Sequence, residues 1–160
     1  MMRKTNAARI LDQLKLSYEL KEYPVDESDL SAISVAQKVG LPIEQVYKTL
    51  VARGDKTGVI VACIQGDLEL HLKALAALSG NKKVEVVPLK EVQPLTGYIR
   101  GGVSPLGMKK SYPTFIDSAV TVQEKVAVSA GLRGLQIFLP SSDLIKAAKA
   151  QVGKITTEPS

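Results

Sequence analysis

Apolar positions recur along this chain at two spacings, and each switch between them marks the border of an element. Ala7, Ile10, Leu11 and Leu14 share one face at helical spacing, with Thr5 or Asn6 placed to cap that helix. Tyr18 to Val25 reads as a strand with Pro24 near its end. Ser31 to Val39 predicts a second helix, with Val35, Ala36 and Val39 inward and Gly40 as its stop. Leu41 to Val46 forms a short helical turn starting at Pro42. Tyr47 to Arg53 and Val59 to Gln65 are apolar strands flanking Gly54-Asp55-Lys56-Thr57-Gly58, a run of turn formers. Together they predict a β-hairpin with a loop of five residues. Leu70 to Leu78 predicts a third helix closed by Ser79-Gly80-Asn81. A short strand at Lys83 to Val87 and a helical segment at Leu89 to Leu95 follow.

The pattern changes at Gly101. Gly101-Gly102-Val103-Ser104-Pro105-Leu106-Gly107 is a glycine-rich loop, and strands are predicted at Thr114 to Ile116, Lys125 to Val128 and Leu135 to Leu139. Ser141-Ser142-Asp143 opens a last helix running to Ala150, and the tail from Ile155 to Ser160 is expected to fray. No repeat, low-complexity block or linker interrupts residues 1–160, which read as a single domain. Hairpins mix with helices instead of repeating a βαβ unit. That order predicts an α+β domain around a mixed, mostly antiparallel, barrel-like β-sheet with surrounding helices.

Composition narrows the function classes. Hydrophobic residues make up 45% and charged residues 23%, as in a folded globular chain. Aromatic residues are only 4% and Trp is absent, so the core rests on Val, Leu, Ile and Ala. So few rings argue against recognition by stacking many bases. A formal net charge of +5 favours polyanionic partners. Cys63 is the one cysteine, which excludes an internal disulfide, and its apolar β-branched surroundings predict a small buried core residue. The basic start, Met1 to Asn6, precedes no long apolar stretch and is not a secretory signal. No segment approaches the roughly 20 apolar residues of a membrane helix. The expectation is a cytoplasmic protein with no membrane partner.

Three segments carry candidate chemistry. In Val46-Tyr47-Lys48-Thr49-Leu50-Val51, strand alternation sends Lys48, Leu50 and Ala52 to one face and Tyr47, Thr49 and Val51 to the other. Lys48 is either a strand-end lysine reaching water or a sheltered cation for a phosphate or ester oxygen. The loop Gly101 to Gly107 lets a ligand approach the backbone, and its amides suit an anion or a developing oxyanion. It lacks the spacing of a Walker A or dinucleotide-binding loop, and an ordinary structural loop is the plainer reading. Val128-Ser129-Ala130-Gly131-Leu132-Arg133-Gly134 offers a hydroxyl, two glycines and a cation, or simply a hairpin turn. His71 is the only histidine, opens a helix, and is expected at the surface or as a cap. No carboxylate pair, metal-ligand cluster or Ser-His-Asp set stands out, so no cofactor and no metal is expected.

Taken together, these segments resemble the YbaK/EbsC family of aminoacyl-tRNA editing proteins. The matching pieces run in order: Tyr47-Lys48-Thr49-Leu50-Val51, Leu72-Lys73, Lys82-Lys83-Val84-Glu85, Thr96-Gly97-Tyr98, Gly101 to Gly107, and Ser129 to Gly134. The resemblance implies a small domain on a twisted, largely antiparallel, barrel-like sheet. It implies a deacylase that removes cysteine from mischarged Cys-tRNA(Pro), with aminoacyl-tRNA as substrate and transient association with prolyl-tRNA synthetase. Lys48 becomes the key functional lysine, with the amides of Gly101 and Gly102 near the developing oxyanion. Tyr23, Tyr47, Thr49, Ser104, Ser129 and Arg133 would bind substrate in the same pocket. The Lys48-Thr49 pair resembles cysteine-specific members, since alanine-specific relatives more often carry Asn after the lysine. Gln136 stands where some members carry Asp, His71 where Asp or Asn is common, and Ala130 where Gly is frequent. The alternatives are an editor of another mischarged tRNA such as Ala-tRNA(Pro), or a non-catalytic aminoacyl-tRNA or nucleotide-binding module.

Overall fold

The computed structural model describes residues 4–157. Its first hairpin joins β2 (Tyr47–Gly54) to β3 (Gly58–Gln65) in unbroken register, from Tyr47↔Gln65 to Gly54↔Gly58. Gly54 and Gly58 themselves pair, so the loop is Asp55 to Thr57, shorter than the sequence predicts. Asn81 braces this loop from outside: its Oδ1 accepts from the Lys56 and Thr57 amides at 2.8 and 3.0 Å. β5 (Val84–Val86) pairs with the far end of β2, at Ala52 to Gly54. β6 (Thr114–Asp117) runs parallel to β3, and β9 (Gln151–Gly153) parallel to β6. The sheet order is β5-β2-β3-β6-β9.

A second, antiparallel sheet has the order β1-β8-β7, from Glu19–Glu22, Leu135–Pro140 and Lys125–Leu132. β7 runs further than predicted because a bulge between Ser129 and Leu132 carries it on to the turn. Within the bulge, Gly131 lies against the ring of Tyr98. Gly131 holds φ at +98°, and a Cβ there would lie 2.7 Å from Tyr98 Cε1. Gly131→Ala is therefore expected to destabilise the fold by about 2–3 kcal/mol, from positive-φ strain plus the clash, seen as a lower denaturation midpoint.

Both faces of the five-stranded sheet are covered. On one, Tyr47, Cys63 and Ile116 pack with the apolar face of the second sheet and with α1 (Asn6–Gln13) and α5 (Ser141–Ala148). On the other, Ala52, Ile60, Ala62, Ile64 and Phe115 receive Leu75 and Ala76 of α3 (Leu72–Ser79). This alternation along β2 and β3 is the one the sequence predicts. α2 (Ala32–Val39) lies over the seam between the sheets, packing Ala36 on Val46 and Ala127. Thr5 and Ser31 cap α1 and α2, accepting from Ala8 N and Ser34 N at 3.1 and 3.2 Å. His71 caps α3 through Nδ1, which accepts from Ala74 N at 3.0 Å.

The mixed α+β domain expected from the sequence forms, with two departures. Its sheets do not close into a barrel: the two larger ones pack face to face, and the one strand pairing between them among the described residues is the isolated parallel bridge Val46↔Ala127. The tail is not frayed where it is described. Ile155 is wholly buried, and β10 (Thr156–Thr157) pairs with β4 (Glu69–Leu70). β4, β9 and β10 are each too short to show a period of two in the sequence. Residues 158–160 of the expected tail lie outside the described residues.

Candidate functional site

The seam between the sheets leaves part of β2 without a strand on the edge opposite β3. The bridge ends at Val46 and the β5 ladder begins at Ala52. A cavity of about 470 Å³ fills that gap. Its floor is Val46 with Tyr47 to Val51 of β2, and Ser129 and Gln136 of the second sheet form one wall. The start of α2 with Leu30 forms another. Val86, Val87 and the first turns of α4 (Leu89–Thr96) form an apolar side, and Arg100, Gly101 and Val103 close the rim.

The structure brings Lys48, Tyr47, Thr49, Gly101 and Ser129 to this one cavity. Burial holds the Lys48 ammonium below its ordinary 10.5, and the carboxylates of Asp67 and Glu69 partly offset that. Tyr47 is buried, with no hydrogen-bond partner for its hydroxyl among the described residues, and burial raises its pKa, helped by the Asp117 charge. The Thr49 hydroxyl turns inward to Cys63, at 3.7 Å from Sγ. Cys63 is fully buried, and burial pushes its thiol up to about 12, so it is no nucleophile at neutral pH. Ser129 Oγ accepts from the Gly131 amide at 3.1 Å, and the residue lines the cavity. Gly101, at φ +83°, sits where a Cβ would be 3.4 Å from Leu30 and from Arg133 Nε.

Four residues expected in the same pocket lie outside its lining. The Gly102 amide donates to Ile99 O at 2.9 Å and closes a turn, so it does not face a substrate oxyanion. A Cβ on Gly102 would meet the Arg133 backbone at 3.1 Å, which makes this glycine a packing requirement. Ser104 is wholly buried, with Oγ accepting from Leu106 N at 3.3 Å inside its own loop. Tyr23 and Arg133 line a separate cavity of about 310 Å³. Arg133 reaches the main site only indirectly, its Nε donating to Arg100 O at 2.8 Å and so bracing the rim from behind.

Sequence reasoning missed the apolar side of the cavity. Val86 and Leu89 are 50% and 59% exposed, yet in sequence they are indistinguishable from core positions. Gln136, a departure from the family pattern expected near the pocket, does line it. In the structure Gln136 is 5% exposed, stands opposite Ser129 in register, and has an Oε1 without a partner among the described residues.

Residues 27–147 match the family model described as the aminoacyl-tRNA editing domain. A protein of Enterococcus faecalis, whose given name EbsC is that of a Cys-tRNA(Pro)/Cys-tRNA(Cys) deacylase, is 46% identical over 155 residues. That match spans 97% of this chain and 94% of the relative. A crystal structure described as a trans-editing enzyme for prolyl-tRNA synthetase superposes with a TM-score of 0.83 at 25% identity, covering 98% of this chain and all of the other. The hypothetical protein APE2540 superposes with a TM-score of 0.87 at 22% identity, over 96% of this chain and all of that one, and shows the shared fold. By its family match and by near full-length similarity to EbsC, this chain belongs to the aminoacyl-tRNA editing domain family.

Proposed function

We propose that this protein removes cysteine from mischarged Cys-tRNA(Pro), acting on the ester at the 3′ end of the tRNA. One observation carries the reading. The cavity holds a sheltered cation, hydroxyls and backbone groups, and its lining includes no histidine, cysteine or carboxylate among the described residues. His71 Nδ1 is occupied in capping α3, and Cys63 is buried and protonated. Such a site suits a substrate that brings its own nucleophile. The cysteinyl sulfur attacks its own carbonyl carbon, the bond from that carbon to the ribose oxygen breaks, and the thiol proton ends on the ribose hydroxyl. The products are cysteine thiolactone and free tRNA. The protein contributes position and electrostatics: Lys48 holds the phosphate or ribose end, and backbone amides meet the developing oxyanion. Similarity to EbsC and to the trans-editing structure supports this assignment. It also supports a transient partnership with prolyl-tRNA synthetase and a place in the cytoplasm beside translation.

The test is release of amino acid from Cys-tRNA(Pro), Cys-tRNA(Cys), Ala-tRNA(Pro) and Pro-tRNA(Pro). Rapid loss of cysteine with Pro-tRNA(Pro) spared is the expected result. Release of alanine in its place would reassign the substrate, and release from none would favour a binding module. A pH experiment isolates Lys48. Binding of 3′-cysteinylamino-3′-deoxyadenosine, which cannot be cleaved as an ester, is expected to weaken as pH rises. The ligand's own α-ammonium and thiol lose protons in that range in every variant, so the Lys48 contribution is the difference between wild type and Lys48→Arg: because burial lowers the Lys48 pKa, the wild type alone should lose further affinity at a pH below that of a free lysine. Lys48→Arg, which stays charged, should show only the ligand's limb.

A further inference from the structure

The cavity is lined by the consecutive residues Val46 to Val51. Side chains on a strand alternate between faces, so a strand presents adjacent residues to one space only along its edge. The main chain of β2 is therefore part of the lining. The register says which groups it presents. The Val61 amide donates away from β2, to Pro113 O at 2.9 Å, so Val61 and its partner Val51 form a non-hydrogen-bonded pair. By alternation Thr49↔Cys63 is another, and the N–H and C=O of both Thr49 and Val51 point to the outer edge. The Val51 carbonyl is taken by Val87 N at 3.0 Å. Thr49 lies between the bridge at Val46 and the ladder from Ala52, where no described strand pairs with it.

We infer that Thr49 reads the aminoacyl group through its main chain, the substrate docking on the open edge of β2 as a single residue of an added antiparallel strand. The inference rests on the editing function proposed above and specifies how that site holds its substrate. In an antiparallel sheet, two facing residues exchange both N–H···O bonds. An aminoacyl ester carries the same two groups on one residue: an α-ammonium to donate to Thr49 C=O, and a carbonyl oxygen to accept from Thr49 N–H. That carbonyl oxygen becomes the oxyanion when the ester is attacked. The Thr49 amide is thus a rigid donor aimed where charge develops. It fills a place the glycine loop leaves open, since the Gly102 amide is already bonded to Ile99 O. The Thr49 hydroxyl faces Cys63, so the side chain does not compete for this task. Main-chain pairing is blind to the substrate side chain, as in other strand-addition modes. Discrimination then falls to the wall, where Ser129 and the unpartnered Gln136 Oε1 lie.

The experiment replaces Thr49 in the full chain by its α-hydroxy counterpart, exchanging the N–H for an ester oxygen. Expected is a fall in kcat/KM on Cys-tRNA(Pro) of about tenfold to a hundredfold. The same exchange at Ala52, whose amide belongs to the ladder with Ile60, should lower the melting temperature and leave kcat/KM of the folded protein unchanged. A substrate-side arm needs no altered protein. 3-Mercaptopropionyl-tRNA(Pro) keeps the thiol but lacks the ammonium, and should lose a similar factor after division by its uncatalysed rate. Unchanged kcat/KM in the Thr49 variant, or full activity on the desamino substrate, overturns the inference. Should the wild type release nothing, the editing reading fails by itself. Binding of 3′-cysteinylamino-3′-deoxyadenosine then decides the inference: weaker binding by the Thr49 variant supports it, and equal binding refutes it.

Discussion

Lys48→Ala is expected to lower kcat/KM for Cys-tRNA(Pro) by about a hundredfold to a thousandfold, the scale of losing one preorganised electrostatic group. The same variant should melt no earlier than the wild type. Lys48 is half-buried on β2, and desolvation is the main influence on its ammonium. Asp67 and Glu69 return only part of that penalty, and Lys48 has no ion pair to lose among the described residues. Removing a cation that folding disfavours does not weaken the fold. Activity and stability should therefore separate, which they would not if Lys48 were a packing residue. Lys48→Met adds a second check, because it keeps the apolar stem and loses only the charge. Amino-acid release from Cys-tRNA(Pro) and thermal melts of the three proteins give both readouts. Equal activity in wild type and Lys48→Met would remove the cation from the mechanism.

The parts of this fold legible in the sequence are those with a local pattern. β2 and β3 stand out as near-continuous apolar runs because both faces are covered by apolar layers, and α2 and α3 end at glycines that take positive φ, Gly40 and Gly80. What escaped were contacts between distant segments. β4 and β10 are two residues each, and only their mutual pairing and the burial of Ile155 make them visible. The candidate site shows the same division. Lys48, Thr49, Gly101 and Ser129 sit in compact motifs, and the fold brings them to one cavity. Tyr23, Ser104 and Arg133 belong to equally suggestive segments, yet none of them lines the main cavity. Ser104 is buried inside its own loop, Arg133 braces the rim from behind, and Tyr23 continues the β1 edge, its amide donating to Gly134 O at 3.0 Å. The open edge of β2 has no sequence signal, because it is created by a strand ending elsewhere.

Asp117→Ala is expected to destabilise the protein by about 3–5 kcal/mol, because a buried carboxylate there holds the C-terminal segment to the core. Asp117 is wholly buried at the end of β6. Its Oδ1 accepts from Ile155 N at 2.8 Å and from Thr156 Oγ1 at 3.1 Å. Its Oδ2 accepts from Ala119 N at 3.0 Å and starts the 3₁₀ turn Ser118–Val122. Alanine would leave all three donors without this acceptor, those of Ile155 and Thr156 buried and that of Ala119 part-buried, and hydrogen bonds to a charged acceptor are each worth more than neutral ones. For a domain of this size the melting temperature should drop by roughly 10 °C. Asp117→Asn should lose less, since one oxygen remains to accept while the amide nitrogen faces a donor. The damage should be local first: Ile155 leaves the cluster around Leu75, and its amide exchanges with solvent faster. The cavity lies along β2, two strands away from β6, so Asp117→Ala should keep the kcat/KM of the wild type at temperatures where it stays folded. A variant that melted like the wild type would show that the C-terminal segment is held by the burial of Ile155 alone.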